Sequence, residues 1–324
     1  MRHKVYVTEP IHPDAAARLT GALPTEFGDL SLPREEIKRR LADVTIILSK
    51  TDPLLIDREI IDAAPDLIHI ARHGSGYSNV DLDYATSRGV SVSYLSGLNV
   101  VSMAEYTIAL MLLAARKLVP AVEQSRKGNP PRSQFLGIEL SGKTIGIIGV
   151  GQIGREVVKR AGALVMTVLG YHPRPQGKDF SDLDMTLVEL DELLTRSDFV
   201  SIHTPLSAET RNLVGARELE LMKPGAYLLN LGRGGIIDEA ALADALRENR
   251  IGGAVLDVLA REPVSADEPL LAFENCIILP HIAAMTAETQ ARTAMAAVEN
   301  ILAVSRGERP HYLANPQAWP PAHA

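Results

Sequence analysis

Short apolar runs alternate with segments of helical periodicity along most of the chain. Within the first hundred residues, apolar runs at 5–7, 44–48, 67–71 and 90–92 predict strands. The segments at 13–23, 34–41, 57–64 and 82–88 predict helices between and after them. Strands that alternate with helices favour a parallel sheet covered by helices, so this part of the chain is predicted to form an open α/β domain.

The alternation continues after a long apolar helix predicted at 101–116 and a polar, proline-containing stretch at 125–134. Further strands are predicted at 164–171, 199–203, 226–230, 253–257 and 276–279, which gives a second doubly wound sheet. A last helix, predicted at 286–304, must pack against one of the two sheets. Because the first domain has only its own hundred residues, we predict that this helix returns to it.

A glycine-rich turn lies in the middle of the chain, at KTIGIIGVGQIGREVV (143–158). An apolar strand ends there in Gly149, Gly151 and Gly154 and passes directly into a helix. In a G-x-G-x-x-G turn the first glycine makes the tight turn, the second lets a pyrophosphate approach, and the third lets helix and strand pack closely. A second apolar run at 164–169 follows at βαβ distance, so the sequence predicts a dinucleotide-binding unit.

Composition and charge narrow the classes of partner. Hydrophobic residues make up 46% of the 324 residues and charged residues 23%, which is typical of a globular protein. The formal net charge of −7 argues against binding of nucleic acid or of an anionic membrane. The single cysteine, Cys276, excludes an internal disulfide and a zinc site built from cysteines. We therefore expect a cytoplasmic protein with no metal, no nucleic acid partner and no membrane partner.

Side chains suited to anion binding and proton transfer follow three successive strands of the second sheet. Arg233 stands between glycines after strand 226–230, Glu262 follows strand 253–257, and His281 comes directly after strand 276–279. Ligands of open α/β sheets bind at the carboxyl ends of the strands. The three side chains are therefore expected to cluster at one edge of the sheet, beside the dinucleotide loop.

Seven segments carry a resemblance to a known family that covers nearly the whole chain. They are HGSGYSNVDLDYATSRGVSV (73–92), NVVSMAEYTIALMLLAAR (99–116), ELSGKTIGIIGVGQIGREV (139–157), SDFVSIHTPLSAETRNLV (197–214), MKPGAYLLNLGRGGIIDEAAL (222–242), GGAVLDVLAREP (252–263) and LPHIAAMTAET (279–289). In these segments the chain resembles the D-isomer-specific 2-hydroxyacid dehydrogenases, which include phosphoglycerate, hydroxypyruvate, glyoxylate, D-lactate and formate dehydrogenases. The formate branch fits poorly, since it has longer N-terminal elements.

The resemblance implies a catalytic role for Arg233, Glu262 and His281, and the chemistry of these side chains agrees. A guanidinium is a planar, permanently charged clamp for the carboxylate and carbonyl of a 2-oxo acid. An imidazole can donate a proton to the carbonyl oxygen during hydride transfer and accept it back in the oxidative direction. A carboxylate beside that imidazole orients it and raises its pKa. We therefore expect an NAD(P)-dependent dehydrogenase or 2-oxo-acid reductase with His281 as acid and base.

The same resemblance implies residues that bind the cofactor and the substrate. For the cofactor they are Gly149, Gly151, Gln152, Ile153, Gly154, His172, Arg174, Thr204, Pro205, Thr210, Leu231, Gly232, Asp257 and Ala283. For the small 2-oxo or 2-hydroxy acid they are Lys50, Gly74, Ser75 and Gly76, together with Arg233. The backbone N–H groups of the Gly74–Ser75–Gly76 loop are expected to bind the substrate carboxylate.

The identity of the cofactor is left open between NAD and NADP. Members of the family that prefer NAD carry an acidic residue about twenty residues past the glycine loop, which binds the ribose hydroxyls. His172 stands there instead, and Arg174 follows two residues later. Without a carboxylate the repulsion of a 2′-phosphate is removed, and His172 and Arg174 could contact that phosphate.

A domain arrangement and an oligomeric state follow from the resemblance and the strand pattern. We predict an α/β fold in which a Rossmann nucleotide-binding domain, 99–286, is inserted into a flavodoxin-like substrate domain, 1–98 with 287–324, with a cleft between them. The protein is expected to form a homodimer through the apolar helix at 101–116. The alternative to an enzyme is a dinucleotide-sensing binding protein or corepressor with the same fold, since fold alone does not decide function.

Overall fold

A computed structural model of the chain describes residues 3–50, 54–128 and 130–321. In chain order its elements are β1 (Val5–Val7), α1 (Pro13–Thr20), β2 (Thr25–Phe27), α2 (Arg34–Arg40), β3 (Ile46–Ser49), α3 (Arg58–Asp62), β4 (His69–Arg72), α4 (Leu82–Ser87), β5 (Ser91–Ser93), α5 (Val100–Ala115), α6 (Leu118–Lys127), β6 (Thr144–Ile148) and α7 (Gln152–Ala163). They continue with β7 (Thr167–Tyr171), β8 (Thr186–Leu187), α8 (Leu190–Arg196), β9 (Phe199–Ile202), α9 (Ala216–Leu221), β10 (Tyr227–Asn230), α10 (Glu239–Arg247), β11 (Gly253–Leu256), β12 (Cys276–Ile278) and α11 (Ala287–Ser305). Short 3₁₀ turns lie at Arg132–Phe135, Pro269–Ala272 and Pro316–Ala318.

The chain divides into two compact units, 1–99 with 285–324 and 100–284. The first unit contains a parallel sheet with the strand order β2-β1-β3-β4-β5, which is the flavodoxin-like order. The strands β1, β3 and β4 are buried along their whole length, as expected for a parallel sheet covered on both faces. Helix α11 packs on this sheet, where its Ala294, Ala297 and Val298 share a core with Val5 and Leu48.

The second unit contains a parallel sheet with the order β12-β11-β10-β9-β6-β7-β8. Counted from β6, the first strand of this unit, the order is that of a Rossmann sheet with one extra strand at its end. Helices α5 and α7 pack on one face, and Met111, Val157 and Ile147 share a core there. The predicted fold class, α/β with two doubly wound parallel sheets, is confirmed.

Several predicted boundaries were wrong for local reasons. Helix α1 ends at Thr20 and does not extend to residue 23, and the unpredicted edge strand β2 follows it. The apolar run at 164–171 begins as the C-terminal cap of α7, and Val165 adopts a left-handed φ of +59°, so β7 starts only at Thr167. Helix α6 was also missed, although the proline in its first turn, Pro120, is compatible with a helix start.

No helix within the described ranges combines the length and the hydropathy that a membrane crossing requires.

Candidate active site

The glycine loop joins the end of β6 to the start of α7. Gly149 has a φ of +98°, and a Cβ at this position would lie 2.8 Å from the amide nitrogen of Thr204. A Cβ on Gly154 would lie 2.5 Å from the Gly149 carbonyl oxygen, so the third glycine allows the helix to pack against the end of the strand. Any side chain at these two positions would force the backbone to shift.

Gly151 faces open space, in contrast to the other two glycines. A Cβ there would meet no protein atom within 4 Å. Gly151 is the N-terminal cap of α7, Gln152 is exposed beside it, and Ile153 is half-buried. The first N–H groups of a helix lack partners within the helix and lie at its positive end. The open space and these donors fit a pyrophosphate group.

The loop after β7 carries His172 and Arg174. The Arg174 amide nitrogen donates to His172 Nδ1 at 3.0 Å, and the Arg174 guanidinium donates to Glu209 Oε2 from Nε at 3.1 Å and from Nη2 at 2.9 Å. Burial lowers the pKa of His172, and the charges of Lys178 and Arg174 lower it further. The imidazole is therefore neutral near pH 7, and Arg174 is the cation of this loop that faces a carboxylate.

The loop after β9 packs against the glycine loop at Gly149. Thr204 is buried there, whereas Pro205 is exposed. The Thr210 hydroxyl donates to the Pro205 carbonyl at 2.7 Å and accepts from the Ser207 amide at 2.7 Å. Thr210 therefore shapes the loop through its hydroxyl, and its predicted contact with a cofactor stays a prediction.

Arg233 lies in a tight loop after β10. Asn230 Oδ1 accepts from the Gly232 amide at 3.1 Å, and Asn230 Nδ2 donates to the Arg233 carbonyl at 3.0 Å. A Cβ on Gly234 would overlap the Leu259 carbonyl oxygen at 1.9 Å, so a glycine is required beside the arginine. The half-buried guanidinium donates from Nη1 to the Gly232 carbonyl at 2.8 Å and forms no ion pair with any residue that the structure describes. The remaining N–H groups can therefore receive an anion. Leu231, also predicted to bind the cofactor, is buried at the start of this loop.

His281 and Glu262 form a hydrogen-bonded pair. His281 Nδ1 donates to Glu262 Oε2 at 2.8 Å, and the imidazole remains 42% exposed. With Nδ1 turned to the carboxylate, Nε2 is the atom that can carry a proton to a substrate. The backbone of His281 is left-handed, with a φ of +55°, a conformation that non-glycine residues adopt rarely and that clusters at functional sites.

The charges around this pair favour a protonated imidazole. The hydrogen bond to Glu262 raises the pKa of His281 above its ordinary 6.5. Burial and the positive charge of Arg233 oppose that shift, and the charges of Glu262 and Asp257 add to it. Burial works to raise the pKa of Glu262, but the bond from His281 and the nearby cations outweigh it and leave that pKa lowered. The structure thus joins Glu262 and His281 in a hydrogen bond, with Arg233 near enough to act on the pKa of both, and the catalytic roles of the three residues stay predictions.

Asp257 holds the loop that carries His281. It is 1% exposed at the end of β11, where Oδ1 accepts from the Ile282 amide at 3.0 Å and Oδ2 from the Ala283 amide at 3.0 Å. The Tyr106 hydroxyl on α5 donates to the same Oδ1 at 3.1 Å. The sequence predicted contacts of Asp257 and Ala283 with a cofactor, and those contacts stay predictions.

Two residues of this site were missed because they lie in a helix whose pattern is dominated by apolar side chains. Besides Tyr106, the Ser102 hydroxyl on α5 donates to the Ala283 carbonyl at 2.6 Å. Both partners are more than 150 positions away in sequence. Hydroxyl groups four residues apart in an otherwise apolar helix were the available signal, because they share one face.

The loop predicted to bind the substrate carboxylate follows β4 in the first unit. Ser75 is exposed, and a Cβ on Gly74 would meet no atom within 4 Å. Arg72, buried beneath the loop, donates from Nε to the Gly76 carbonyl at 3.0 Å and from Nη1 to Ser49 Oγ at 2.7 Å. Arg72 therefore supports the loop from beneath. The exposed Ser75 and the open space at Gly74 leave the other side of the loop accessible to an anion.

Lys50 was predicted to bind the substrate. Its Nζ donates to the Pro10 carbonyl at 2.9 Å, and its amide nitrogen donates to Thr8 Oγ1 at 3.3 Å. Among the residues described, the hydrogen bonds of Lys50 thus join it to the segment after β1 and not to the Gly74–Gly76 loop. The predicted role of Lys50 in substrate binding stays a prediction.

Within residues 3–50, 54–128 and 130–321, no three His, Cys, Asp or Glu side chains are grouped so that they could hold a metal ion.

Known proteins share both the sequence and the fold. Residues 108–283 match the family model described as the NAD binding domain of the D-isomer specific 2-hydroxyacid dehydrogenases. A D-3-phosphoglycerate dehydrogenase of Archaeoglobus fulgidus is 41% identical over 305 residues, which are 94% of this chain and 58% of that protein. The chain thus spans less than two thirds of the length of this relative.

A glyoxylate reductase of Aeropyrum pernix is 40% identical over 326 residues, which cover 97% of this chain and 96% of that protein. Among solved structures, the TT0316 protein of Thermus thermophilus superposes with a TM-score of 0.88 at 37% identity, over 96% of this chain and 99% of that one. The family model covers more than half of the chain, and relatives above 30% identity cover nearly all of it. The chain therefore belongs to the family of D-isomer-specific 2-hydroxyacid dehydrogenases.

Proposed function

We propose that this protein is an NAD(P)-dependent 2-oxo-acid reductase that also works in reverse as a D-2-hydroxyacid dehydrogenase. The observation that carries the proposal is the pair of His281 and Glu262, with Arg233 near enough to act on the pKa of both. A pure binding protein needs neither a proton donor with a raised pKa nor a guanidinium without an ion pair. These groups lie at the carboxyl ends of strands in the same sheet as the glycine loop.

Proton transfer is the task of His281. In reduction, Nε2 donates a proton to the oxygen of the substrate carbonyl while Glu262 holds Nδ1 and stabilises the imidazolium. In oxidation, the neutral imidazole takes that proton back. Arg233 supplies N–H donors and positive charge to the carboxylate and the carbonyl oxygen, which favours the charge that develops there. A bound dinucleotide supplies the hydride that the carbonyl carbon receives.

The cofactor is proposed to lie against α7 and the loops beside it. The open space at Gly151 and the N-terminus of α7 fit the pyrophosphate. Gln152 and Ile153 begin α7 after β6, Thr204 and Pro205 follow β9, and Leu231 and Gly232 follow β10. These three strands are neighbours in the sheet. We propose that the protein accepts both NADH and NADPH. No carboxylate follows β7 directly, and Arg174 can exchange Glu209 for a 2′-phosphate.

The substrate is proposed to be a small 2-oxo acid whose carboxylate binds the backbone N–H groups of Gly74, Ser75 and Gly76. The relatives are a glyoxylate reductase and a D-3-phosphoglycerate dehydrogenase, which makes glyoxylate and 3-phosphoglycerate the first compounds to test. We also propose a cytoplasmic location, because a chain with one cysteine has no internal disulfide, as is usual for proteins of a reducing compartment.

The test is NADH and NADPH oxidation against glyoxylate, hydroxypyruvate and pyruvate, with the natural protein and with His281→Gln. We expect turnover on at least one acid and a loss of roughly 10²–10⁴-fold in kcat for the variant, because that is what a general acid contributes. Dinucleotide affinity should be unchanged. At equal concentrations, kcat/KM for the two cofactors should agree within about tenfold, a free-energy difference of about 1.4 kcal/mol.

A matched control is His311→Gln, which removes an exposed imidazole from outside the proposed site and should leave kcat unchanged. Tight dinucleotide binding with no turnover on any of the acids would contradict the enzyme and favour a dinucleotide sensor. A preference for NADH far beyond tenfold would remove the phosphate role of Arg174.

A further inference from the structure

We propose that Ser102 and Tyr106 of helix α5 are positioning residues that fix the loop of His281 and thereby set the rate of proton transfer. The inference rests on the proposed role of His281 as proton donor. Neither residue faces a substrate or a cofactor in this proposal. Both act through the backbone of residues 281–283.

The loop of His281 is held by hydrogen bonds to its backbone. His281 has a left-handed backbone, Ile282 is exposed, and Ala283 is buried. The Ile282 and Ala283 amides donate to the two carboxylate oxygens of Asp257, each at 3.0 Å. The carbonyl of Ala283 accepts from Ser102 Oγ at 2.6 Å. Hydrogen bonds from α5 and β11 thus hold the backbone directly after the imidazole.

Tyr106 fixes the carboxylate on which two of these bonds depend. Its hydroxyl donates to Asp257 Oδ1 at 3.1 Å. Burial raises the pKa of Tyr106 and the charge of Asp257 raises it further, so the phenol stays protonated and serves as a donor. Hydrogen bonds to a buried charged group are stronger than those between neutral groups, and losing one leaves that charge less compensated.

Helix α5 is a rigid support for both hydroxyls. Met103, Ala104 and Met111 on this helix are buried in the core that also contains Ile147 and Val157. Ser102 and Tyr106 are separated by four residues and therefore lie one helical turn apart on the same side. A packed helix is a better support than another loop, because residues that hold catalytic groups must be fixed to within about half an ångström.

The test removes each hydroxyl and leaves the rest of the side chain in place. We expect Tyr106→Phe and Ser102→Ala each to lower kcat for 2-oxo-acid reduction about tenfold, within the roughly 10²-fold that a 1 Å misplacement can cost. KM for the acid and the affinity for dinucleotide should change little. Ser102→Thr keeps a hydroxyl at this position and should retain most of the rate.

The matched control is Thr107→Val on the same helix. Thr107 is fully buried, and its hydroxyl donates at 2.7 Å to the Met103 carbonyl within α5. Its loss should leave kcat unchanged. An equal loss of rate in Thr107→Val, or full activity in both Tyr106→Phe and Ser102→Ala, would overturn the proposal.

A second measurement does not need turnover. The titration of His281 can be followed by NMR of labelled histidine. The signal that is absent from the spectrum of His281→Gln is assigned to His281. The groups that act on this imidazole are Glu262, Arg233 and Asp257, with Tyr106 acting on Asp257 and Glu239 of α10 acting on Glu262. A loosened loop weakens the bond to Glu262, so Tyr106→Phe should lower the pKa of His281 and Thr107→Val should not. An unchanged pKa in Tyr106→Phe would count against the proposal even if the protein shows no turnover.

Discussion

The proposed chemistry depends on the proton that His281 carries on Nε2, while its Nδ1 donates to Glu262 Oε2 at 2.8 Å. The hydrogen bond raises the pKa of the imidazole above 6.5 because the carboxylate stabilises its charged form. Reduction needs the protonated form, so kcat/KM should be high at low pH and fall as pH rises through this raised pKa. Oxidation needs the neutral form and should show the opposite dependence.

Glu262→Gln should move that transition. The amide keeps the size of the side chain but removes the negative charge, so the pKa of His281 falls and the midpoint of the reductive profile shifts to lower pH. The reductive rate at neutral pH then drops. A pH profile of kcat/KM checks this, with Asp267→Asn as control, since Asp267 is an exposed carboxylate on the same loop that pairs with Arg261. A midpoint that stays in place in Glu262→Gln would contradict the assignment of the profile to this pair.

At this scale the sequence predicted which side chains gather at the edge of the sheet but not how they are held, and their catalytic roles stay predictions. Arg233, Glu262 and His281 could be found because each follows a strand of a parallel sheet, and such strands end at one edge. The hydrogen bonds of Asp257 with Tyr106, Ile282 and Ala283 could not be found, because nothing local marks a contact between residues 106 and 257. For Lys50, the sequence shows the charge of the side chain but not its hydrogen bond to the Pro10 carbonyl.

At the scale of elements, a substitution at the junction of β6 and α7 is predicted to weaken dinucleotide binding without disturbing the fold. Gly151→Ala places a methyl group where the protein has no atom within 4 Å, at a φ of −87° that alanine adopts readily. The fold should tolerate it. The methyl group occupies the space proposed for the pyrophosphate, so dinucleotide affinity should fall about tenfold or more, which titration calorimetry measures.

Gly162→Ala in the same helix is the matched control. A Cβ there also meets no atom within 4 Å, but the residue lies in the last turn of α7, far from its N-terminus. Alanine is a better helix former than glycine, so this variant should be more stable by about 0.5–1 kcal/mol and bind dinucleotide normally. Normal binding by Gly151→Ala would place the pyrophosphate elsewhere.

The elements that the sequence missed are short or marginal. Strand β2 has three residues, of which Phe27 is exposed, so it lacks the apolar run that marked its neighbours. Helix α6 contains no buried residue, and its apolar positions therefore do not stand out from the polar stretch that follows. The buried strands and the long helices were predicted because burial on two faces imposes a pattern that a sequence shows directly.

At the scale of the whole molecule, we propose a homodimer formed through α5 and α6. Apolar side chains remain exposed there, among them Leu112 at 40%, Leu118 at 47% and Val122 at 50%. Clustered exposed apolar side chains are typical of a surface that another protein covers. Light scattering should give a mass of twice the 35.0 kDa of the monomer.

The double variant Leu112→Glu, Val122→Glu should give the monomer mass, because an association surface does not accept unpaired charges. Leu271→Glu, an exposed leucine elsewhere in the second unit, should leave the mass unchanged. A natural protein that scatters as a monomer would rule out this dimer.

The division of the first unit into two sequence segments has a consequence for synthesis on the ribosome. Residues 100–284 form a continuous unit, and all of its strands are translated before α11. The first sheet is made earlier, yet Val5 and Leu48 share their core with Ala297 and Val298, which are translated long after both strands. The N-terminal segment, residues 1–99, must therefore wait with part of an apolar face uncovered while the second unit folds, which makes it the part of the nascent chain that depends most on protection from aggregation.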